Sequence, residues 1–142
     1  MIPKSTYGFR PVNLYANNDS ANGGVCVTSI LRSQNGELWV GSDGGGLYLI
    51  SGNNKILNFS KHNSQLTTNS IMAMVEDKRG TIWIATYLGG LYTLAAGQKQ
   101  IVPYSKLHDM KLSCLAYDKL QDILYVGSLG NGVKAISLST NE

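Results

Sequence analysis

His62 and His108 are the only histidines in this chain, and both fall in stretches that read as loops after a strand. Neither has cysteines or carboxylates at metal-ligand spacing, so no metal site is expected. The pair His108-Asp109 has the residue types to orient an imidazole as a base, yet no serine or cysteine is marked as its nucleophile. Glu76 and Asp77 are adjacent at a strand end and therefore diverge, which argues against a paired-carboxylate hydrolase. The run Gly41-Ser42-Asp43-Gly44-Gly45-Gly46 has the composition of a phosphate loop, but neither its spacing nor a following helix. It reads as a hairpin turn. No catalytic residue and no cofactor are expected. What remains is binding chemistry. Asp43 and Tyr87 occupy equivalent turns, and a carboxylate beside an aromatic ring is suited to gripping a sugar and its hydroxyls. They are the candidate ligand-binding residues, with Leu129 at the third equivalent position. The plain alternative is that all three are variable turn residues.

The elements that position these turns are repeated. Gly36-Glu37-Leu38-Trp39-Val40-Gly41-Ser42 recurs as Gly80-Thr81-Ile82-Trp83-Ile84-Ala85-Thr86 and as Asp122-Ile123-Leu124-Tyr125-Val126-Gly127-Ser128, with aromatic anchors 44 and then 42 residues apart. The endings Gly45-Gly46-Leu47, Gly89-Gly90-Leu91 and Asn131-Gly132-Val133 follow each copy. A period in the low forties, with short β-rich runs and glycine turns, predicts all-β propeller blades of four antiparallel strands. In the second copy, Ser70–Glu76 reads as a first strand with Ile71, Ala73 and Val75 on one face. Asp77–Gly80 reads as a tight turn, since Asp bonds its own backbone and Gly takes positive φ. Ile82–Ala85, Leu91–Leu94 and Gln100–Tyr104 complete the blade, with Pro103 on an outer edge. The second strand is apolar on both sides, as a sheet covered on both faces requires. Trp39, Trp83 and Tyr125 are expected to fill the gap to a neighbouring blade. Gly41, Ala85 and Gly127, two residues on, are expected to leave room for a neighbour's ring. Gly46, Gly90 and Gly132 are the turn anchors.

Composition bounds the rest. The chain has 142 residues, 43% of them hydrophobic, and a net charge of +3 from scattered basic residues. No basic stripe accompanies that charge, so nucleic acid is not an expected partner. No apolar stretch approaches the roughly 20 residues of a membrane span, and Met1-Ile2-Pro3-Lys4 lacks the apolar run of a signal peptide. Cys26 and Cys114 align with Leu112 and Thr28. A whole blade then separates them, so two buried free thiols are expected rather than a bridge.

Asp77-x-x-Gly80-x-Ile82-Trp83-Ile84-Ala85-Thr86-x-x-Gly89-Gly90-Leu91 resembles the two-component regulator propeller repeat. The first copy matches from Gly36 to Tyr48, with Ser33 in place of the turn aspartate. The third departs more, with Lys119, Asp122, Tyr125 and Asn131 at the positions of Asp77, Gly80, Trp83 and Gly89. The resemblance covers about residues 23–138, and its matching residues belong to the scaffold. It implies the periplasmic sensor region of a bacterial hybrid histidine kinase: a non-catalytic module responsive to an oligosaccharide. A sialidase Asp-box is similar, but the Asp-to-Gly spacing here is one residue too long and only Arg10, Arg32 and Arg79 are available for a carboxylate. A propeller enzyme acting on glycans, of sialidase or lyase type, and a protein-interaction scaffold are the alternatives.

The domain reading is a partial propeller. Residues 1–22 form a leading outer strand (Pro11–Ala16) and linker, 23–66 blade 1, 67–109 blade 2, and 110–142 blade 3 without its last strand. Propellers close with about 4–8 blades, so about three make an incomplete ring unless the chain is oligomeric. A dimer completing a six-bladed ring, or the rest of a longer sensor chain, is the expected partner.

Overall fold

The computed structural model describes Leu14 and residues 25–52, 55–107 and 110–139. Apart from Leu14, the predicted leading strand at 11–16 lies outside the described residues, as does His108. Eleven strands are described: β1 (Cys26–Arg32), β2 (Leu38–Asp43), β3 (Leu47–Ile50), β4 (Ile56–Phe59), β5 (Ile71–Glu76), β6 (Ile82–Thr86), β7 (Leu91–Leu94), β8 (Ile101–Pro103), β9 (Leu112–Asp118), β10 (Ile123–Ser128) and β11 (Val133–Ser137). One 3-10 turn spans Ser105–Leu107. The strands form three antiparallel meanders, β1-β2-β3-β4, β5-β6-β7-β8 and β9-β10-β11. These are propeller blades. The first strand of each packs against the first strand of the next, β1 on β5 and β5 on β9. The array of three is open.

Blade 2 sits between the other two, and β6 is buried along its whole length. Ile82 and Ile84 join Trp39, Leu47, Leu49, Ile71 and Met74 in the core between blades 1 and 2. Trp83 and Ala85 point the other way, into a second core with Leu112, Leu124 and Val126. Two-sided burial is why this strand carries no polar alternation. Pro103 closes β8 at the sheet edge, where its missing N–H is harmless.

The structure departs from the sequence expectations at several places. Ile71, Ala73 and Val75 do not share a face. A β-bulge between Ile71 and Ala73 leaves Met72 unpaired and reverses the alternation. Ile71 and Met74 therefore face blade 1, and Ala73 and Val75 face blade 3. The same irregularity recurs between Val27 and Ser29 in β1, and opposite Gly127/Ser128 in β9. Trp39 and Trp83 are buried between sheets as expected, but Tyr125 is 37% exposed. The anchor position faces the following blade, and Tyr125 stands on the outermost described blade. The small residues do not accommodate a ring either. A Cβ on Gly41 would lie 2.6 Å from Ile71 Cγ2 of the next blade, and one on Gly127 would lie 2.4 Å from Cys114 Sγ across the same sheet. Cys26 and Cys114 are exposed rather than buried.

The third turn also shifts the alignment. Glu76 pairs with Ile82, whereas Tyr117 pairs with Leu124, so the blade 3 turn holds one more residue. The turn aspartate is therefore Asp118, not a lysine at 119. Its carboxylate accepts from Leu120 N at 3.0 Å and Gln121 N at 3.2 Å. Asp77 does the same for Arg79 N at 2.9 Å and Thr81 N at 3.1 Å.

Trp83 packs in the core between blades 2 and 3 with Leu112, Leu124 and Val126, and its ring also meets Tyr104, at the end of blade 2, edge-on at 5.3 Å. Truncating it to alanine (Trp83→Ala) is expected to cost about 3–5 kcal/mol, the range for emptying an aromatic core site. Chemical denaturation measures this, and a loss under about 1 kcal/mol would contradict the two-sided packing of blade 2.

Candidate functional site

The blade turns present two opposite surfaces. One carries the β2–β3, β6–β7 and β10–β11 hairpins, together with the links from each blade to the next. The other carries the β1–β2, β5–β6 and β9–β10 turns.

On the hairpin surface a hydroxyl organises every turn. Ser42 Oγ donates to Gly46 O at 2.8 Å and accepts from Gly45 N at 3.1 Å. Thr86 Oγ1 donates to Gly90 O and accepts from Gly89 N, at 2.8 and 2.9 Å. Ser128 Oγ donates to Gly132 O and accepts from Asn131 N, at 2.8 and 3.0 Å. Gly46, Gly90 and Gly132 all take positive φ, at 81°, 78° and 72°. At Gly46 the need is also steric, because a Cβ would stand 2.3 Å from Phe59 O. The Ser/Thr of the repeated phrase is thus a turn clamp, legible in the sequence only as a recurring small polar residue.

Asp43 and Tyr87 project from this surface, and both are exposed. The fold brings them to one residue, Ser70, which precedes β5. Asp43 Oδ1 accepts from Ser70 Oγ at 2.6 Å. Tyr87 N donates to Ser70 O at 3.0 Å. Leu88 and Leu129 are exposed on the same side. The arrangement is an open polar and aromatic ledge. His62 is exposed in the link between blades 1 and 2. No group of three or more potential metal ligands occurs among the described residues.

The denser polar chemistry lies on the opposite surface, where the sequence reading placed no site. Arg79 reaches from the blade 2 turn to Asp122 of blade 3 with two parallel bonds, at 2.9 and 3.1 Å. Tyr117 Oη donates to Asp122 Oδ1 at 2.6 Å and accepts from Lys78 N at 3.2 Å. Asp122 sits at φ 56°, where the other two copies have a glycine. Aspartate visits this region at modest cost, and here its carboxylate ties two blades together. The one signal available in the sequence was a carboxylate standing where the other repeats have glycine. Hydrogen bonds from Arg79 and then Tyr117 hold the Asp122 carboxyl below the usual carboxylate range. Burial, with the bond to Asp122, raises the Tyr117 phenol. Asp77 completes the cluster: it is buried, and its Oδ2 accepts from Trp83 Nε1 at 2.9 Å. Glu76 turns away to accept from Gln34 N of blade 1 at 2.9 and 3.1 Å. The two adjacent carboxylates diverge.

Residues 22–44 and 65–88 match the family described as "Two component regulator propeller". The two matched segments are similar to that family's repeats, one in each of the first two blades. The repeat spans β1–β2 of blade 1 and β5–β6 of blade 2, and so contains both turn surfaces. No curated protein matches the chain. Among solved structures it is similar to the extracellular domain of a candidate hybrid two component system from B. thetaiotaomicron. That likeness has a TM-score of 0.66 and 26% identity over 87% of this chain and 16% of that one. The extracellular domain of a candidate one component system from the same organism has a TM-score of 0.67 at 21% identity, over 82% of this chain and 16% of that one. Virginiamycin B lyase from Staphylococcus aureus shares the fold at 11% identity and a TM-score of 0.57, over 82% of this chain and 42% of that one. The chain therefore spans about a sixth of the length of the two sensor domains. No helix among the described residues is long and apolar enough to cross a membrane.

The Asp122 clamp predicts an acid sensitivity with a definite sign. A carboxyl whose folded pKa is depressed adds stability above its unfolded pKa, and that stability is lost as pH falls through the folded value. The thermal midpoint is expected to drop on acidification below about pH 4, the unfolded aspartate value. Asp122→Asn, which tolerates the same backbone conformation, should lower the midpoint at neutral pH and flatten that acid limb. An acid limb unchanged in the variant would place the sensitivity elsewhere.

Proposed function

We propose that this chain is part of a non-catalytic sensor whose propeller blades bind an oligosaccharide in the periplasm and pass the event on as a signal. The observation that carries the reading is the likeness, at 26% identity over 87% of the chain, to the extracellular domain of a candidate hybrid two component system. The matching family repeats support it. The blade units are residues 23–66, 67–109 and 110–142. The ligand contacts are Asp43 and Tyr87, supported by their exposure on one surface beside Ser70. A carboxylate takes sugar hydroxyl protons while the phenol ring covers an apolar ring face.

The partner is further propeller, supplied by a second copy or by the rest of a longer sensor. The outer face of blade 3 supports this, since Tyr125 and Val133 stand exposed on strands next to one another. An open apolar blade face is an association surface. In the two-copy form, residues 11–16 of each chain add the missing fourth strand to blade 3 of the other, an isologous exchange.

Calorimetry against a glycan panel is expected to give binding heat for at least one oligosaccharide, with no turnover of it. Asp43→Ala and Tyr87→Ala should each weaken that binding by about tenfold or more, the loss expected for one polar or aromatic contact. No heat from any glycan would remove the ligand, and turnover would remove the sensor. Light scattering at micromolar concentration is expected to show a dimer that is lost on deleting residues 1–17. A dimer indifferent to the deletion would remove the strand exchange.

A further inference from the structure

Trp39 and Trp83 occupy the same position in successive blades, but their indole N–H groups do not fare alike. Trp83 Nε1 donates to Asp77 at 2.9 Å. Trp39 is 1% exposed, and its Nε1 has no hydrogen-bond partner among the described residues. The cause is one substitution within the repeat. Ser33 stands where blade 2 has Asp77, and its shorter side chain turns into its own loop, donating to Asn35 Oδ1 and accepting from Glu37 N at 3.2 Å. A buried donor left without an acceptor costs on the order of 1–3 kcal/mol. Such a group calls for an explanation.

The missing carboxylate coincides with space. A cleft of about 250 Å³ opens between the blade 1 and blade 2 turns, lined by Ser33, Trp39, Glu37, Glu76, Arg79 and Gln98 among others. Its lining selects a ligand class. The indole N–H needs an acceptor, so a simple cation does not suit it. Glu37 has its charge met by Lys99 at 2.9 Å, whereas Glu76, among the described residues, accepts only from Gln34 N and so keeps a negative charge that opposes an anion. Arg79 does not offset Glu76, because its charge is met by Asp122 at 2.9 Å and Asp77 at 3.6 Å. A neutral hydroxyl answers every requirement, since it accepts from the indole and donates to a carboxylate. The volume falls just below the roughly 300 Å³ at the small end of ligand pockets, which is room for a single ring.

We infer that the cleft between the first two blade turns is a binding site for one neutral sugar ring, with Trp39 Nε1 as its buried donor and Glu37 and Glu76 as its acceptors. The site lies on the surface opposite Asp43 and Tyr87. The inference rests on the sugar-binding reading for the class of ligand, but not for the cleft or the unpartnered donor.

The test is an indole N–H NMR titration of the full chain with glucose, galactose, mannose, xylose and arabinose, and with glucuronate as the anionic control. The Trp39 signal is assigned by its loss in Trp39→Phe. One neutral sugar is expected to shift the Trp39 signal, with glucuronate weaker. Ser33→Asp, which restores the blade 2 arrangement, should keep the thermal midpoint at or above that of the parent while weakening the sugar at least about tenfold. Trp39→Phe, which keeps a ring and removes the donor, should weaken it as well. A Trp39 signal unmoved by every neutral sugar overturns the cleft as a sugar site and leaves it to water alone. If a glycan binds by calorimetry and is lost in Tyr87→Ala but retained in Ser33→Asp, the cleft inference fails and the broader sugar-binding reading stands. If glucuronate binds more tightly than every neutral sugar, the ligand class is wrong.

Discussion

A β-sheet whose middle strands are apolar on both faces is stable only when another sheet covers each side, and the rest of this molecule follows from that constraint. Blade 2 meets it: β6 has no exposed residue, and its side chains alternate between two separate cores. The flanking blades meet it on one face each. Ile30 on β1 and Val133 on β11 are exposed at 66% and 72%. At roughly 25 cal/mol per Å² of apolar surface, leaving such faces in water carries a cost that blade 2 does not bear. The anchor residues record the same gradient. The equivalent position is 1% exposed in Trp39, 7% in Trp83 and 37% in Tyr125, because each looks toward the next blade in the series.

The three blades use one turn position in three ways. In blade 2, Asp77 accepts two backbone N–H bonds and the neighbouring indole, so a single buried carboxylate ties turn, strand and core together. In blade 1, Ser33 keeps part of the turn function and gives up the indole. In blade 3, Asp118 holds a longer turn, while Asp122 reaches back to Arg79. Copies of one scaffold phrase thus differ at the place where charge, burial and space meet. Function in repeat architectures is expected at such differences, since residues common to all copies are occupied with folding.

Much of the fold was legible in advance because burial on two faces leaves a strong imprint. Continuous apolar strands, glycine-ended hairpins and a period in the low forties placed four strands in each of the first two blades and three in the third, as the eleven described strands are arranged. Of the candidate site, the sequence placed Asp43 and Tyr87 in equivalent turns, and the structure sets both beside Ser70. Of Arg79 bonding to Asp122, 43 residues on, the one sign in the sequence was an aspartate where the other copies have glycine, with nothing to name the partner. A contact between turns of adjacent blades has no local signature.

What the chain determined by itself was therefore the local unit: strands, hairpins, glycine turns and the alternation of apolar residues, all set by interactions within a few residues. Only the tertiary structure decided which faces those residues address. One unpaired residue in β5 sends Ile71 and Ala73 into different cores. One extra residue in the β9–β10 turn makes Asp118 the turn aspartate. Cys26 and Cys114 are exposed because neither lies in a core between two described blades. In a strand of period 2, a single inserted residue reverses every side chain beyond it. Pairing across strands reveals that insertion, and the order of residues along the chain does not.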